Sequence, residues 1–228
     1  MHEGESRTRR DFIGRVGRLG AAAAVAGAAP GTAQAMATEA LARPQAGGEW
    51  DLSWVKRIED ARDRAVIDAT AIADGFCLQI ATRYLDNCDS AYGAGQHRAL
   101  VVLNLRTRAV PLALGDAVWS RYEIGADAAV PDTATRQHAH RNLWLTVPAG
   151  QPPETGSLTD VVKRGAIILV CDFALGHLAK RLAAKSGEPE DAVHRALRAG
   201  FVEGATAVPS GIFGLAKAQN AGCAFLSA

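Results

Sequence analysis

With 228 residues, 48% of them hydrophobic and 21% charged, the chain has the composition of a folded globular protein, which excludes a disordered or collagen-like one. Its 25 basic and 24 acidic side chains leave a formal charge of +1, so it carries no electrostatic footprint for nucleic acid. Four cysteines, Cys77, Cys88, Cys171 and Cys223, are spaced too widely for a dense disulfide framework.

The first feature in chain order is Thr8-Arg9-Arg10-Asp11-Phe12-Ile13-Gly14-Arg15: paired arginines, a polar residue, an aromatic, an aliphatic, then a basic residue. This is the pattern of a twin-arginine signal. A weakly hydrophobic run over residues 19–29 follows, then Ala33-Gln34-Ala35, a small-x-small cleavage site. The expectation is a signal peptide over residues 1–35, recognition by the Tat export machinery, and a periplasmic mature protein. Removing those residues leaves 20 basic against 21 acidic side chains, a formal −1. Beyond residue 35 no apolar run approaches the roughly 18 residues of a membrane-spanning helix, so no membrane contact is expected after cleavage.

Residues 36–49 read as a flexible lead-in, and Trp50 and Trp54 as anchors that pin the next segment onto the domain. Residues 64–70 are a short β-branched run and the first core strand, with Asp68 near its C-terminal end. Over residues 75–92 apolar side chains recur at spacings of three and four, which predicts an amphipathic helix. Cys77 and Cys88 on that helix are about 16 Å apart along its axis, too far to bridge. Residues 99–105 (ALVVLNL) are nearly continuous apolar sequence, as in a strand covered on both faces. Pro111 suits the first turn of a helix running to Tyr122.

Residues 125–160 turn polar and lose their period, which predicts a long excursion. It holds His138 and His140, which an extended segment would place on one side. With no third ligand nearby, a solvated loop is favoured over a metal site, and no metal is expected. Residues 165–172 (GAIILVCD) are the strongest strand, ending in Cys171 and running into a helix over residues 173–186 that Gly187 closes. Pro189 opens a further helix over residues 190–199, and residues 205–208 form a short strand. Ser210 then leads into another helix, and residues 223–226 form the last strand. Alternating strands and helices imply an α/β fold, a three-layer α/β/α sandwich with a mainly parallel sheet of flavodoxin-like topology. Cys171 and Cys223 each fall at or near a strand, which leaves a disulfide between them geometrically open.

Several of these marks occur together and in order: Asp68 at the end of the early strand; Asp116 and Trp119 within residues 111–122; Cys171 at a strand end opening a helix; Val208-Pro209-Ser210-Gly211-Ile212; and Ala218-Gln219-Asn220-Ala221-Gly222. In this, residues 50–228 resemble the DsrE/DsrF-like family, in particular its exported, Tat-signal-bearing branch. The resemblance implies a DsrE-like domain that assembles into homo-oligomers, with residues 111–122 and 190–199 as candidate faces. It also implies that Cys171 matches the cysteine on which sulfur-relay members carry a persulfide. No cofactor is implied; the partners would be a small sulfur donor or a partner thiol protein.

The residues themselves leave two readings of Cys171 open. A thiol before a helix N-terminus meets partial positive charge that favours the reactive thiolate. Free cysteine is also commonly a small buried hydrophobe, and Asp172 beside it opposes thiolate formation. Asp68, Asn104, Arg106, Ser210 and His177 would border one cleft if the strands run parallel, with Asp68 near the switch point where such sheets bind ligands. His177 lies nearly two turns beyond Cys171, which disfavours a Cys–His pair. There is no Gly-rich phosphate loop and no Ser-His-Asp order. The alternative to a sulfur carrier is a non-catalytic module for small-ligand binding or homo-oligomeric assembly, with Cys171 structural.

Overall fold

A computed structural model describes residues 50–94, 98–147 and 156–228. The expected signal peptide and lead-in, residues 1–49, lie outside the described residues. The domain is an α/β three-layer sandwich around one five-stranded parallel sheet, flavodoxin-like in its layers and with its own strand order.

The core strands are β1 (Asp63–Ala69) and β2 (Ala99–Leu105), both apolar on two faces, as burial between helix layers requires. A hairpin in the excursion supplies β3 (Pro131–Asp132) and β4 (Gln137–His138), and the sheet resumes with β5 (Ile167–Cys171), β6 (Ala205–Val208) and β7 (Ala224–Ser227). The order across the sheet is β6-β5-β2-β1-β7, with every pairing parallel.

The helices are α1 (Ser53–Glu59), α2 (Phe76–Tyr92), α3 (Asp116–Arg121), α4 (Ile124–Asp127), α5 (Leu158–Lys163), α6 (Asp172–Ser186), α7 (Glu190–Ala199) and α8 (Gly211–Asn220). Alternating strand residues divide the core in two. Ile67, Leu103 and Ile168 pack with Leu78 of α2 and Leu175 of α6, whereas Val66, Val102 and Leu169 pack with Trp54 of α1 and Ala218 of α8. The helices that follow β1 and β5 thus cover one face and the helix that follows β6 covers the other. The chain reverses its winding between the neighbouring strands β5 and β6.

The segment after Trp50 forms the helix α1, which buries Trp54 and Ile58, while Trp50 stacks under the Arg198 guanidinium at 5.4 Å, so both tryptophans anchor it. Two expectations need correction. No continuous helix runs from Pro111 to Tyr122. Residues Thr107–Ala113 form a 3-10 helix, and Leu114 and Gly115 then turn extended. The break has a cause: Leu114 bridges Phe201, and the Gly115 N–H donates to the Gly200 carbonyl at 2.9 Å. A Cys171–Cys223 disulfide is excluded. Cys171 ends β5, Cys223 precedes β7 at the opposite sheet edge, and the two strands lie three spacings or about 14 Å apart.

The excursion is largely packed onto the domain. Asn142 is its buried anchor: its Nδ2 donates to the carbonyls of Leu112 at 2.7 Å and Leu114 at 2.9 Å, and its N–H donates to Asp116 at 2.9 Å. Trp144 lies against Trp119 and over Gly75, where a Cβ would fall 2.2 Å from the indole, so Gly75 combines a φ of 73° with the absence of a side chain. The apolar residues of the two segments expected as assembly faces point inward: Leu112, Trp119, Val193 and Leu197 are buried in the core. Among the described residues no helix is long and apolar enough to cross a membrane.

Candidate functional site

The reversal between β5 and β6 opens a crevice at the C-terminal edge of the sheet, where open α/β sheets bind ligands. It is a cavity of about 870 Å³, within the range of small-molecule sites. Cys171 and Ser210 flank the switch point. Asp68 was the residue expected there. It lies on β1, separated from β5 by β2, because the strand that reverses the winding is β6.

Cys171 and Ser210 end neighbouring strands in the same way. Each is the N-cap of the following helix, and each side chain accepts the amide of the third helical residue. Cys171 Sγ accepts from the Ala174 N–H at 3.3 Å, and Ser210 Oγ from the Phe213 N–H at 3.2 Å. The two helix N-termini therefore converge on the cavity. Cys171 is 5% exposed, consistent with a sulfur in the wall of a crevice. Asp172, next to it, turns its carboxylate away toward α7, 3.2 Å from His194 Nε2 and 3.7 Å from Arg198 Nε.

Behind this wall lies a buried polar lock. Asp68 and Asn104 are register partners on β1 and β2, and Asn104 Nδ2 donates to the Asp68 carboxylate at 2.9 Å and to the Gly211 carbonyl at 3.0 Å. Arg106 donates from Nε and Nη2 to both carboxylate oxygens at 2.7 to 3.1 Å. The Asp68 hydrogen bonds hold the Arg106 guanidinium above its ordinary range, and the nearby Cys171 sulfur acts in the same direction. Asn104 Oδ1 is buried with no hydrogen-bond partner among the described residues.

Of the residues expected at one cleft, Cys171, Arg106, His177 and Ser210 line the cavity, whereas Asp68 and Asn104 sit behind Arg106 and position it. His138 and His140 are exposed on the excursion with buried Ala139 between them. Among the described residues no three His, Cys, Asp or Glu side chains form a ligand group.

Sequence reasoning missed Arg108, Asp127, Arg181 and the exposed pair Phe173 and Ile212, all of which line the cavity. Burial pushes the Asp127 carboxyl up, but hydrogen bonds from Lys185 at 2.6 Å and Arg181 at 2.9 Å outweigh it and hold the group below its ordinary value. Arg181 is legible as the residue one helical turn after His177; Asp127 gave no signal, because nothing in the sequence says that the excursion folds back. Three wall residues, Ala73, Thr107 and Ala129, hold left-handed backbone at φ 42°, 50° and 54° without being glycine. Such strain costs on the order of 1 kcal/mol per residue and concentrates at functional sites.

No protein-family model, curated protein or solved structure matches this chain.

Proposed function

We propose that this chain is an exported, periplasmic DsrE-like sulfur carrier in which Cys171 accepts a sulfane sulfur as a persulfide. The observation that carries the reading is the placement of Cys171: its Sγ accepts the Ala174 N–H at 3.3 Å in the wall of the switch-point cavity, on the same wall as Arg106. That contact seats the sulfur at the N-terminus of α6, and the Asp172 carboxylate is directed away from it toward α7. The Cys171 thiolate attacks the terminal sulfur of a donor persulfide. A new S–S bond forms on Cys171, the donor's S–S bond breaks, and the electron pair leaves on the donor thiolate, with no net oxidation. Transfer to a partner thiol is the same exchange in the outward direction.

The second reading is a non-catalytic ligand-binding module. It is favoured by Cys171 acting as a helix cap at 5% exposure, which is a structural use of the sulfur. Intact mass of the exported protein, purified without reductant, separates the two. Added sulfur that reduction removes and that Cys171→Ser lacks supports the carrier. An unmodified mass, with Cys171 resistant to alkylation until unfolding, overturns it in favour of the binding module.

A further inference from the structure

From the charge around the cavity we infer the class of ligand it takes: an organic anion, its charged group against Arg108 and the two helix N-termini, its apolar body against Ile72, Val110 and Pro111. This deepens the carrier reading by naming its donor as an anionic sulfane-sulfur compound. The binding step stands or falls separately from the sulfur transfer.

The charges do not balance. Arg106 is matched by Asp68, and Arg181 and Lys185 share the single carboxylate of Asp127. Arg108, exposed on the wall, has no ion-pair partner among the described residues. Three arginines and the one carboxylate of Asp127 line the wall, and the off-wall partners Asp68 and Lys185 cancel each other, which leaves an excess of two positive charges. Asp172 does not reduce the excess, because it is engaged by His194 and Arg198 on α7. Asp74 adjoins the wall residue Ala73 but lies off the wall, and counting it still leaves a positive site. To this the N-termini of α6, 15 residues long, and α8, 10 residues long, add partial positive charge at the same crevice.

The rest of the wall is apolar. Ile72, Val110 and Pro111 are buried along it, and Phe173 and Ile212 stand 60% and 75% exposed at its mouth. A small inorganic anion would leave that surface wet, and a neutral hydrocarbon would leave Arg108 without a counter-charge. An anion with an apolar body satisfies both, and about 870 Å³ has room for one.

The test uses benzenesulfonate as an inert anionic probe, benzenesulfonamide as its neutral counterpart, and benzenethiosulfonate as the sulfur-donating form, with binding read by calorimetry on the full chain. Benzenesulfonate is expected to bind the native protein, and the sulfonamide at least tenfold more weakly. Arg108→Glu, at an exposed position, should weaken the anion at least tenfold, and Arg108→Lys should recover most of that loss. Equal affinity for the two probes, no effect of Arg108→Glu, or no binding of the anion would each overturn the inference. Benzenethiosulfonate is then scored by mass: attack of the Cys171 thiolate on its terminal sulfur leaves a persulfide on the protein and releases benzenesulfinate. Binding of benzenesulfonate without sulfur uptake keeps the anion site and removes the carrier function. Sulfur uptake at Cys171 that is indifferent to Arg108→Glu keeps the carrier and removes the anion site.

Discussion

Arg106 reaches from the end of β2 across to β1 and grips both oxygens of Asp68, while its aliphatic stem lies against Gly211 at the start of α8. One side chain thus ties together two strand ends and the helix whose N-terminus faces the cavity. The Asp68 side chain is 8% exposed and Arg106 30%, so the pair is shielded from solvent but not sealed.

Removing both partners should cost less than the two single removals added together. Asp68→Ala leaves a guanidinium and the Asn104 amide without their acceptor, and is expected to destabilise by about 2 kcal/mol, between the roughly 1 of an exposed pair and the roughly 3 to 5 of a fully buried one because Arg106 is part-exposed. The Asp68→Ala/Arg106→Ala double variant should fall clearly short of the sum of the singles in urea unfolding. Additive losses would mean that the lock contributes nothing as a unit.

The shared capping geometry separates the structural from the chemical role of Cys171. Serine is a better N-cap than cysteine, so Cys171→Ser should keep or slightly raise stability while abolishing any sulfur uptake. Cys171→Ala and Ser210→Ala each remove a cap and should cost about 1 kcal/mol. A Cys171→Ser variant as unstable as Cys171→Ala would show that the sulfur is held by packing and that the Ala174 N–H contact carries no weight.

Burial dictates a different behaviour for two other cysteines. It pushes the Cys77 thiol up to about 12, and the Cys223 thiol up to about 11 against the opposing pull of Arg64. At pH 8 roughly one Cys77 in ten thousand is thiolate, so iodoacetamide should leave both residues unlabelled on a time scale that labels a free thiol. The same shifts set a sign for stability. The folded state keeps these thiols protonated, so their contribution is full below the unfolded value of about 8.5. It is lost as pH rises from there toward 11 and then 12, at roughly 1.4 kcal/mol per pH unit for each group. Urea midpoints that stay flat between pH 8.5 and 10.5 would contradict it.

How much of this could be read in advance follows from which interactions are local. The strands of the sheet announce themselves because β1, β2 and β5 are covered on both faces and so are continuously apolar. Pro111 misleads because its fixed φ suits a 3-10 turn as well as an α-helix; what ends the helix early is a pairing with Gly200 and Phe201, some 85 residues away. At the site, Cys171 and Ser210 are legible because a strand end and a cap share one sequence signature. Asp127 and Arg108 are not. Their importance comes from the excursion folding back beside α6 and from which arginines find partners, and both are decided by tertiary contacts. The switch point also eluded sequence reasoning, because strand order depends on β7 returning to pair with β1.

Gly211 provides the sharpest steric test of the site. Its backbone is ordinary for a first helical residue, so by helix propensity alone Gly211→Ala would stabilise by about 0.5 to 1 kcal/mol. The structure reverses that sign. A Cβ there would fall 2.6 Å from Arg106 Cβ and 2.8 Å from its Cδ, so the arginine stem must shift and its grip on Asp68 must loosen. Gly211→Ala is therefore expected to destabilise by about 1 to 2 kcal/mol. In an Arg106→Gly background the obstruction is gone, and the same substitution should become neutral or stabilising, a coupling of at least about 1 kcal/mol in a double-mutant cycle. If Gly211→Ala instead stabilised the native protein, the close packing of α8 on Arg106 would be wrong, and with it the placement of the guanidinium on the cavity wall.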